Sequence, residues 1–330
     1  MVGVSRTTVS NVINGTGRVS EATKARIRTV LQSTGFTLNA SAQTLRRKTS
    51  RLLSILIPFY EGQETFVNGN PFYWEFFGGL KSATSRAGYQ ILLESVNPLD
   101  DLVSAIQARN LDGVVVVGAY ESFPSVRRIL QTKVPAVFVD SYLPSLLAHT
   151  VNSDDQFGAY LATRHLLGLG HRNILFVSGQ RHENGVNHER WKGYCQALAE
   201  FGDGSEPLAV DIQTSLEAGR ALAHRMAYDR PQVSAMFAAA DIIAVGLIRG
   251  FHECGVAVPQ RMSVVGFDDI RNAQYTVPTL TTIRQDVYGK GIQAGQVLLE
   301  IIQGKTAKEP GRIRLLPNLI VRESTGPAPP

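Results

Sequence analysis

The sequence has little of what characterises several large classes of protein. It contains two cysteines in 330 residues, Cys195 and Cys254, which lie far apart and form no CxxC pair. This usage favours free thiols in a reducing compartment over a disulfide framework or a thiolate metal site. No apolar run approaches the roughly 18 residues of a membrane span, and Met1–Ser10 lacks the apolar segment of an export signal. We therefore expect a cytoplasmic protein without a membrane partner.

Motifs of the common enzyme classes are also missing. The chain has no GxSxG, GxGxxG, P-loop or HExxH pattern. His182 and His188 lie six residues apart in a loop, which is poor spacing for metal ligands. Asp268 and Asp269 are adjacent residues at the end of a predicted strand, so they point in opposite directions and do not form an acid pair. We therefore expect neither an enzyme nor a cofactor nor a bound metal.

Acidic residues are nearly absent from the first fifty positions. This segment holds eight Lys and Arg side chains and one acid, Glu21, for a formal charge of +7. The rest of the chain holds 25 basic and 27 acidic side chains, for a formal charge of −2. A basic head on a nearly neutral body indicates a polyanionic partner for the head alone.

The start of the chain has the pattern of a short helix. Val4–Asn14 is predicted to be helical with Ser5 as its cap. Its inner face holds Val4, Val9, Val12 and Ile13, and its outer face holds Arg6, Thr7, Ser10 and Asn11. Arg and Asn side chains match base edges with paired hydrogen bonds, and small hydroxyl groups reach phosphates. A second helix is predicted over Glu21–Ser33, capped by Ser20, and a shorter one over Ala40–Arg47.

From Leu52 onward, short apolar β-type runs alternate with amphipathic helical stretches. The predicted strands are Leu52–Ile57, Gln90–Leu93, Gly113–Val117, Ala136–Val139, Asn173–Val177, Ala235–Ala238 and Ser263–Phe267. The predicted helices are Phe72–Ala87, Leu99–Asn110, Gln156–Leu169, His188–Phe201, Ser215–Ala227 and Asp241–Cys254. Apolar strands separated by helices indicate parallel sheets covered on both faces, and about seven such units exceed one ordinary sheet. Two α/β lobes are expected, with ligands beyond the carboxyl ends of their strands.

Several motifs follow one another in a fixed order. They are GVSRTTVSNVING (3–15), NASAQTLR (39–46), NPFY (70–73), LGHR (169–172), Arg190 with Gly193-Tyr194, SVVGFDD (263–269), PTLTTIRQ (278–285) and VREST (321–325). Through these residues nearly the whole chain resembles the lactose-repressor (LacI/GalR) family of bacterial transcription regulators. The resemblance implies an α/β fold of two doubly wound parallel sheets, like type I periplasmic binding proteins, preceded by a small all-α helix-turn-helix headpiece.

The resemblance also implies a division of the chain and a way of working. Residues 1–38 would form the headpiece, 39–50 a hinge helix and linker, and 51–330 the effector-binding and dimerisation domain. The N-lobe would take about 51–155 and 286–313, and the C-lobe about 156–285 and 314–330. Family members bind palindromic DNA operators as homodimers at the bacterial nucleoid. A small ligand bound between the lobes changes their operator affinity.

Carried over by position, eight residues would contact DNA. Arg6, Thr7 and Asn11 are expected to contact bases. Ser5, Thr8, Ser10 and Asn14 are expected to hold phosphates. Leu45 matches the residue that family members insert into a central base step through the minor groove. The alternative for Leu45 is a small apolar cap on the lobe beneath it.

The ligand-facing positions of the family fall on Phe72, Tyr73, Asp140, Asp154, Arg190 and Asp268. Carboxylates and a guanidinium can bind hydroxyl groups in a dry cleft, and aromatic rings give it a flat wall. Structural alternatives stay open for three of these residues, since Phe72 could belong to the core, Asp154 could cap a helix and Arg190 could brace a loop. Asp241 is expected to cap the next helix and is therefore not included.

The chain departs from the family pattern in its headpiece. Members carry a further helix before Gly-Val-Ser, whereas this chain begins at Met1-Val2. A recognition helix needs that partner helix to bury Val9, Val12 and Ile13 and to cross the DNA backbone. We therefore expect that either the true start lies upstream of Met1 or this chain binds operators weakly or not at all.

The effector side departs as well. The loop Phe59–Gly69 is longer than usual and is predicted to be a lid or part of the dimer surface. Thr214 stands where many members carry a stacking aromatic, and Ala240 stands where Asn is usual. The expected function is a DNA-binding regulator, a repressor, controlled by a sugar or sugar derivative. The alternative is a solute-binding protein or a ligand sensor that does not bind DNA, because the headpiece is incomplete.

Overall fold

The computed structural model describes residues 2–14, 16–34, 49–58, 69–97, 102–229, 232–305 and 310–330. The chain divides into two compact units, Met1–Ser50 and Arg51–Pro330. Leu45, the rest of the predicted hinge helix and the loop 59–68 lie outside the described residues. None of the described helices is both long and apolar enough to cross a bilayer.

In its described residues, the first unit contains two helices, α1 (Arg6–Asn14) and α2 (Glu21–Ser33). The hydroxyl of Ser5 accepts the backbone N–H of Thr8 at 3.1 Å, and that of Ser20 accepts the N–H of Thr23 at 3.4 Å. Both predicted caps and the predicted bounds of α2 are therefore confirmed. Ile27 of α2 is fully buried, as expected for the inner face of an amphipathic helix.

The second unit alternates strands and helices. Its strands are β1 (Leu52–Pro58), β2 (Gln90–Val96), β3 (Gly113–Val117), β4 (Ala136–Val139), β5 (His149–Ser153), β6 (Ile174–Ser178), β7 (Leu208–Asp211), β8 (Ala235–Ala238), β9 (Ser263–Asp268), β10 (Thr281–Arg284), β11 (Arg312–Leu315) and β12 (Asn318–Ile320). Its helices are α3 (Pro71–Ser85), α4 (Leu102–Ala108), α5 (Pro124–Gln131), α6 (Asp155–Gly168), α7 (Val186–Phe201), α8 (Leu216–Asp229), α9 (Asp241–Glu253) and α10 (Val287–Ile302). A 3₁₀ helix spans Arg271–Gln274.

These elements form two six-stranded sheets, in the orders β11-β5-β4-β3-β1-β2 and β12-β10-β9-β8-β6-β7. Within the described ranges, all paired strands are parallel except β10 and β12. The first sheet, with α3 and α10 packed on it, forms the N-lobe, and the second sheet, with α6 to α9, forms the C-lobe. The chain crosses between the lobes after β5, after β10 and after β11. The expected pair of doubly wound parallel sheets is therefore confirmed.

Helices α3 and α10 approach each other closely. A methyl group placed on Gly79 of α3 would overlap the backbone carbonyl oxygen of Tyr288 in α10. On the facing side, a methyl group on Gly291 would overlap the carbonyl oxygen of Phe76. The neighbouring Gly78 differs, because an added methyl carbon would lie 3.6 Å from the Tyr288 ring, at ordinary van der Waals distance. Glycine is thus needed at 79 and not at 78.

We expect Gly79→Ala to lower the free energy of unfolding by about 1–3 kcal/mol, because the helices must move apart to admit the methyl group. Gly78→Ala is the matched control, and it should raise the free energy of unfolding by about 0.5–1 kcal/mol, since alanine favours the helix over glycine. Urea denaturation followed by circular dichroism measures both. Equal effects of the two substitutions would contradict this account of the helix crossing.

Candidate functional site

A cavity of about 620 Å³ lies where the strand ends of the two lobes face each other. Its N-lobe wall includes Asn70, Phe72, Tyr73, Tyr120, Phe123 and Asp140. Its C-lobe wall includes Gln180, His182, Asn187, Arg190, Asp211, Thr214, Ala240 and Asp268, and Gln285 of a crossover completes it. The rings of Tyr120 and His182, one from each lobe, lie 4.5 Å apart between centroids. This is the position at which parallel α/β sheets place their ligands.

The cavity carboxylates stand on unusual backbone. Asp140 directly follows β4 and has φ 49°, and Asp268 ends β9 and has φ 128°. Non-glycine residues rarely adopt positive φ; each instance costs about 1–3 kcal/mol and persists only where the surrounding structure imposes it. The next residue, Asp269, also has positive φ and forms ion pairs with Arg284 and Arg322, both at 2.6 Å. These ion pairs hold the turn that presents the Asp268 carboxylate.

Asp241 also fixes this turn, which corrects the expectation that it caps its own helix. The residue at the cap position of α9 is Ala240, which has no side-chain cap bond. The Asp241 carboxylate is fully buried and accepts the backbone N–H of Ile270 at 2.9 Å and the hydroxyl of Thr282 at 2.5 Å. Burial, together with the charge of Asp268, raises its pKa well above the usual range.

One buried cation belongs to the C-lobe. The Arg190 guanidinium binds the Asp155 carboxylate with Nε and Nη2, both at 2.8 Å, and donates from Nη1 to the Ala239 carbonyl oxygen. It lies over the Phe267 ring, 3.7 Å from the centroid. Arg190 Nη1 is 3.9 Å from the nearer oxygen of Asp268. Burial raises the pKa of Asp268 to about 6, although the Arg190 charge acts to lower it.

The other buried cation is Lys290 of α10, whose side chain is fully buried. Its ammonium lies 2.6 Å from Asp140 Oδ1 and 2.6 Å from Gln285 Oε1. The Gln285 amide nitrogen donates to Asp268 Oδ1 at 2.5 Å, and the Ser153 hydroxyl donates to Gln285 Oε1 at 2.8 Å. Burial raises the pKa of Asp140, and Lys290 acts against that rise. A continuous chain of polar contacts therefore links the carboxylates of the two lobes.

This arrangement determines what the cavity can bind. Among the described residues, the second carboxylate oxygens of Asp140 and Asp268 receive no hydrogen bond from the protein. The donors of Arg190 are directed at Asp155 and Ala239, and Lys290 is directed at Asp140 and Gln285. As far as the structure describes its wall, the cavity therefore offers carboxylate acceptors and no cation that is free of a carboxylate partner. Such a wall suits a ligand rich in hydrogen-bond donors.

The structure brings five of the six expected ligand-facing residues together. Phe72, Tyr73, Asp140, Arg190 and Asp268 all line the cavity, although Phe72 also packs into the N-lobe core. Asp154 does not line the cavity, which corrects the expectation for this residue. Its carboxylate caps α6 by accepting the N–H of Phe157 at 3.1 Å, and its other oxygen lies 3.5 Å from Arg314.

Seven of the eight candidate DNA-contacting residues lie on or next to α1. Arg6 and Thr7 are exposed, and the hydroxyls of Ser5 and Thr8 share a hydrogen bond of 2.9 Å. Ser10 and Asn11 are half-buried. The Asn11 side-chain oxygen accepts the Thr16 hydroxyl at 3.4 Å, which turns this amide toward the following loop. Asn14 is the last residue of the helix, and Leu45 lies outside the described residues.

Both units match known family models. Residues 1–39 match the family described as bacterial regulatory proteins, lacI family, and residues 163–325 match the periplasmic binding protein-like domain. The chain is 31% identical over 333 residues to the HTH-type transcriptional regulator DegA of Bacillus subtilis (strain 168), with 98% of this chain and 96% of DegA covered.

Solved structures of transcriptional regulators are also similar to this chain over nearly its whole length. The complex of the transcriptional regulator CelR with cellobiose is 28% identical, with a TM-score of 0.73 and coverage of 98% of this chain and 97% of CelR. The Lac repressor dimer bound to operator and the anti-inducer ONPF is 25% identical, with a TM-score of 0.84 and coverage of 98% and 96%. Because a named transcriptional regulator aligns with 98% of the chain and the lacI model matches its basic head, the chain belongs to the lacI family of bacterial regulatory proteins and is a regulator rather than an enzyme.

Proposed function

We propose that this protein is a sequence-specific DNA-binding repressor of the bacterial cytoplasm. A small polar ligand, a sugar or sugar derivative, binds between its lobes and changes its affinity for a palindromic operator. The observation that carries the proposal is the cavity of about 620 Å³, in which carboxylates from both lobes face one space. A ligand that contacts both lobes can stabilise one lobe arrangement over another, which is the requirement for a ligand-controlled switch.

The ligand chemistry follows from the wall of the cavity. Asp140 and Asp268 offer carboxylate oxygens, Asn187 adds an amide, and Tyr73 and Phe72 supply an aromatic side. Hydroxyl groups satisfy the acceptors and the carbon skeleton packs on the rings, so a polyol such as a sugar fits. The complex of the similar CelR contains cellobiose, a neutral sugar, which supports the same class of ligand here.

The DNA partner is proposed from α1 and the charge of the head. The first fifty residues carry a formal charge of +7, and Arg6 and Thr7 stand exposed at the start of α1. Arginine can make paired hydrogen bonds to a guanine edge, and a basic surface attracts the phosphate backbone. We assign base contacts to Arg6, Thr7 and Asn11. Phosphate contacts are assigned to Ser5, Thr8, Ser10 and Asn14, and the insertion into a base step to Leu45.

We expect the protein to select a palindromic site from a pool of random duplexes, with an affinity that falls steeply as salt rises. On that site, Arg6→Ala should cost about 1–3 kcal/mol and relax the preference at one base position, because a paired contact to a base edge is lost. Fluorescence anisotropy on the selected site and its single-base variants measures both effects.

The matched control is Arg6→Lys, which keeps the charge but not the paired geometry. It should keep the salt dependence and lose the base preference. An equal loss of affinity on every sequence would make Arg6 a phosphate contact. If no duplex is preferred at any salt concentration, the protein is a solute-binding protein or a ligand sensor that does not bind DNA.

The affinity for a neutral sugar should depend on pH through Asp268. With its pKa raised to about 6, this carboxylate is ionised and accepts ligand hydroxyls at pH 7 and above. Below pH 6 it becomes protonated, so affinity should fall by up to about tenfold per pH unit. Titration calorimetry from pH 5 to 8 measures this, with Asp268→Asn as the control that reduces the dependence. An affinity that rises on acidification would contradict the role of Asp268.

We propose a homodimer with an interface that includes α3 and α10. Trp74 and Tyr288 are 52% and 43% exposed, and Gly78, one turn after Trp74, lies against the Tyr288 ring. Large aromatic side chains exposed on two helices that pack together indicate a protein contact surface. The similar Lac repressor structure is a dimer, which supports a second copy of this chain as the occupant.

Trp74→Glu should shift the protein from dimer to monomer in analytical ultracentrifugation, because the interface would bury an unpaired charge. Phe201→Glu is the control, since Phe201 is 46% exposed on α7 of the other lobe. A dimer that withstands Trp74→Glu, or that Phe201→Glu dissociates equally, would place the interface elsewhere.

A further inference from the structure

Lys290 is the most unusual charged residue of the N-lobe. A lysine side chain is almost never fully buried without a partner, and this one has no exposed surface. Lys290 lies on α10, and the other buried residues of this helix are apolar or small. The Lys290 ammonium lies 5.6 Å from the centre of the Phe72 ring. Its polar partners are Asp140 and Gln285.

Lys290 does not line the cavity, whereas Asp140 does. Lys290 therefore approaches the carboxylate from the protein side, at Oδ1, and leaves Oδ2 for a ligand. A ligand group at Asp140 thus meets a carboxylate whose charge is already compensated. A hydroxyl group can still donate to it, but an ammonium there would share a single negative charge with Lys290.

The second carboxylate is in a different state. Arg190 directs two of its nitrogens at Asp155, and its third contact to Asp268 is as long as 3.9 Å. Asp268 therefore keeps most of its negative charge, and the described residues that line the cavity leave no cation to receive an anionic group of the ligand. Lys290 compensates the charge of Asp140, so the net charge there is close to zero. Arg190 is engaged with Asp155, so the net charge at Asp268 stays negative.

We propose that Lys290 is a specificity-determining residue of this cavity, which neutralises Asp140 and thereby selects an uncharged hydroxyl over an amine at that position, while the cavity as a whole rejects phosphorylated sugars. The inference rests on the proposed function, since it concerns the sugar-like ligand of the same cavity. A purely structural role for Lys290, as a support of the Gln285 crossover, would make no distinction between ligands.

The test compares full-length wild type with Lys290→Met, which keeps an unbranched side chain one atom shorter and removes its charge. The probes are glucose, galactose, ribose and cellobiose, each with its phosphorylated counterpart, and the amino counterparts glucosamine, galactosamine and the glucosamine dimer. Thermal shift and titration calorimetry give the affinity for each compound. Lys305→Met, at an exposed lysine beyond the end of α10, is the matched control.

In the wild type, each phosphorylated sugar should bind at least tenfold more weakly than its neutral counterpart. In Lys290→Met, the ratio of amino-sugar to neutral-sugar affinity should rise at least tenfold, because Asp140 is left without its cation and a ligand ammonium can replace it. Lys305→Met should leave this ratio unchanged. If Lys290→Met does not fold, Lys290→Gln, which keeps a donor but no charge, should show the same rise.

The double variant Asp140→Asn with Lys290→Met removes both charges, and its ratio should return to the wild-type value. Equal weakening of neutral and amino sugars in Lys290→Met would overturn the proposal and leave a structural role. Stronger wild-type binding of a phosphorylated sugar would overturn it while leaving the proposed function intact. If no compound of the panel binds the wild type, the sugar ligand of the proposed function fails, and the inference fails with it.

Discussion

Burying charge is the constraint on which the cavity and the lobe connections depend. Removing a carboxylate from water costs several kcal/mol unless a cation or a donor replaces the lost hydration. Arg190 is the cation that pairs with Asp155, just after the first crossover, and Lys290 is the cation that pairs with Asp140, at the end of β4. Gln285 joins the Lys290 ammonium to the C-lobe. Because each group loses its partner if another moves, the strand ends of both lobes are held in one geometry.

The fold could be predicted from the sequence where burial alone decides the structure. Strands β3, β4 and β8 have the predicted bounds, since each is an unbroken run of apolar residues in the centre of a sheet. Strand β10 (Thr281–Arg284) was not predicted, because it begins with two threonines. Both threonines are nevertheless fully buried, since their hydroxyls find partners in Asp241 and in Thr325. A strand of this kind lacks the run of apolar residues by which a buried strand is predicted, and its burial depends on hydrogen-bond partners that are distant in the sequence.

The candidate site could be predicted only in part. Asp140 and Asp268 follow apolar strands, so their position at the cavity follows from the sheet topology. Asp154 and Asp241 show where the sequence is ambiguous, because each lies at the start of a helix, where an aspartate ordinarily acts as a cap. Asp154 is a cap, and Asp241 instead fixes the Asp268 turn. Lys290 had no signal at all, since a lysine within a helical pattern is ordinarily exposed and only its tertiary partners explain its burial.

Gln285 connects the chemistry of the ligand to the arrangement of the lobes. It lies in the crossover after β10, accepts from Ser153 at the end of β5 in the N-lobe and donates to Asp268 in the C-lobe. A ligand hydroxyl that donates to Oδ2 of Asp268 shares this carboxylate with the Gln285 amide, which donates to Oδ1. Hinged lobes move relative to each other through changes in the backbone angles of crossover residues. The strength of the hydrogen bond from Gln285 to Asp268 therefore affects the angle between the lobes. The hydrogen bonds that link Asp140, Lys290, Gln285 and Asp268 therefore act both on the choice of ligand and on the arrangement of the lobes. A ligand can shift the lobes only to the extent that it binds one lobe arrangement more tightly than the other.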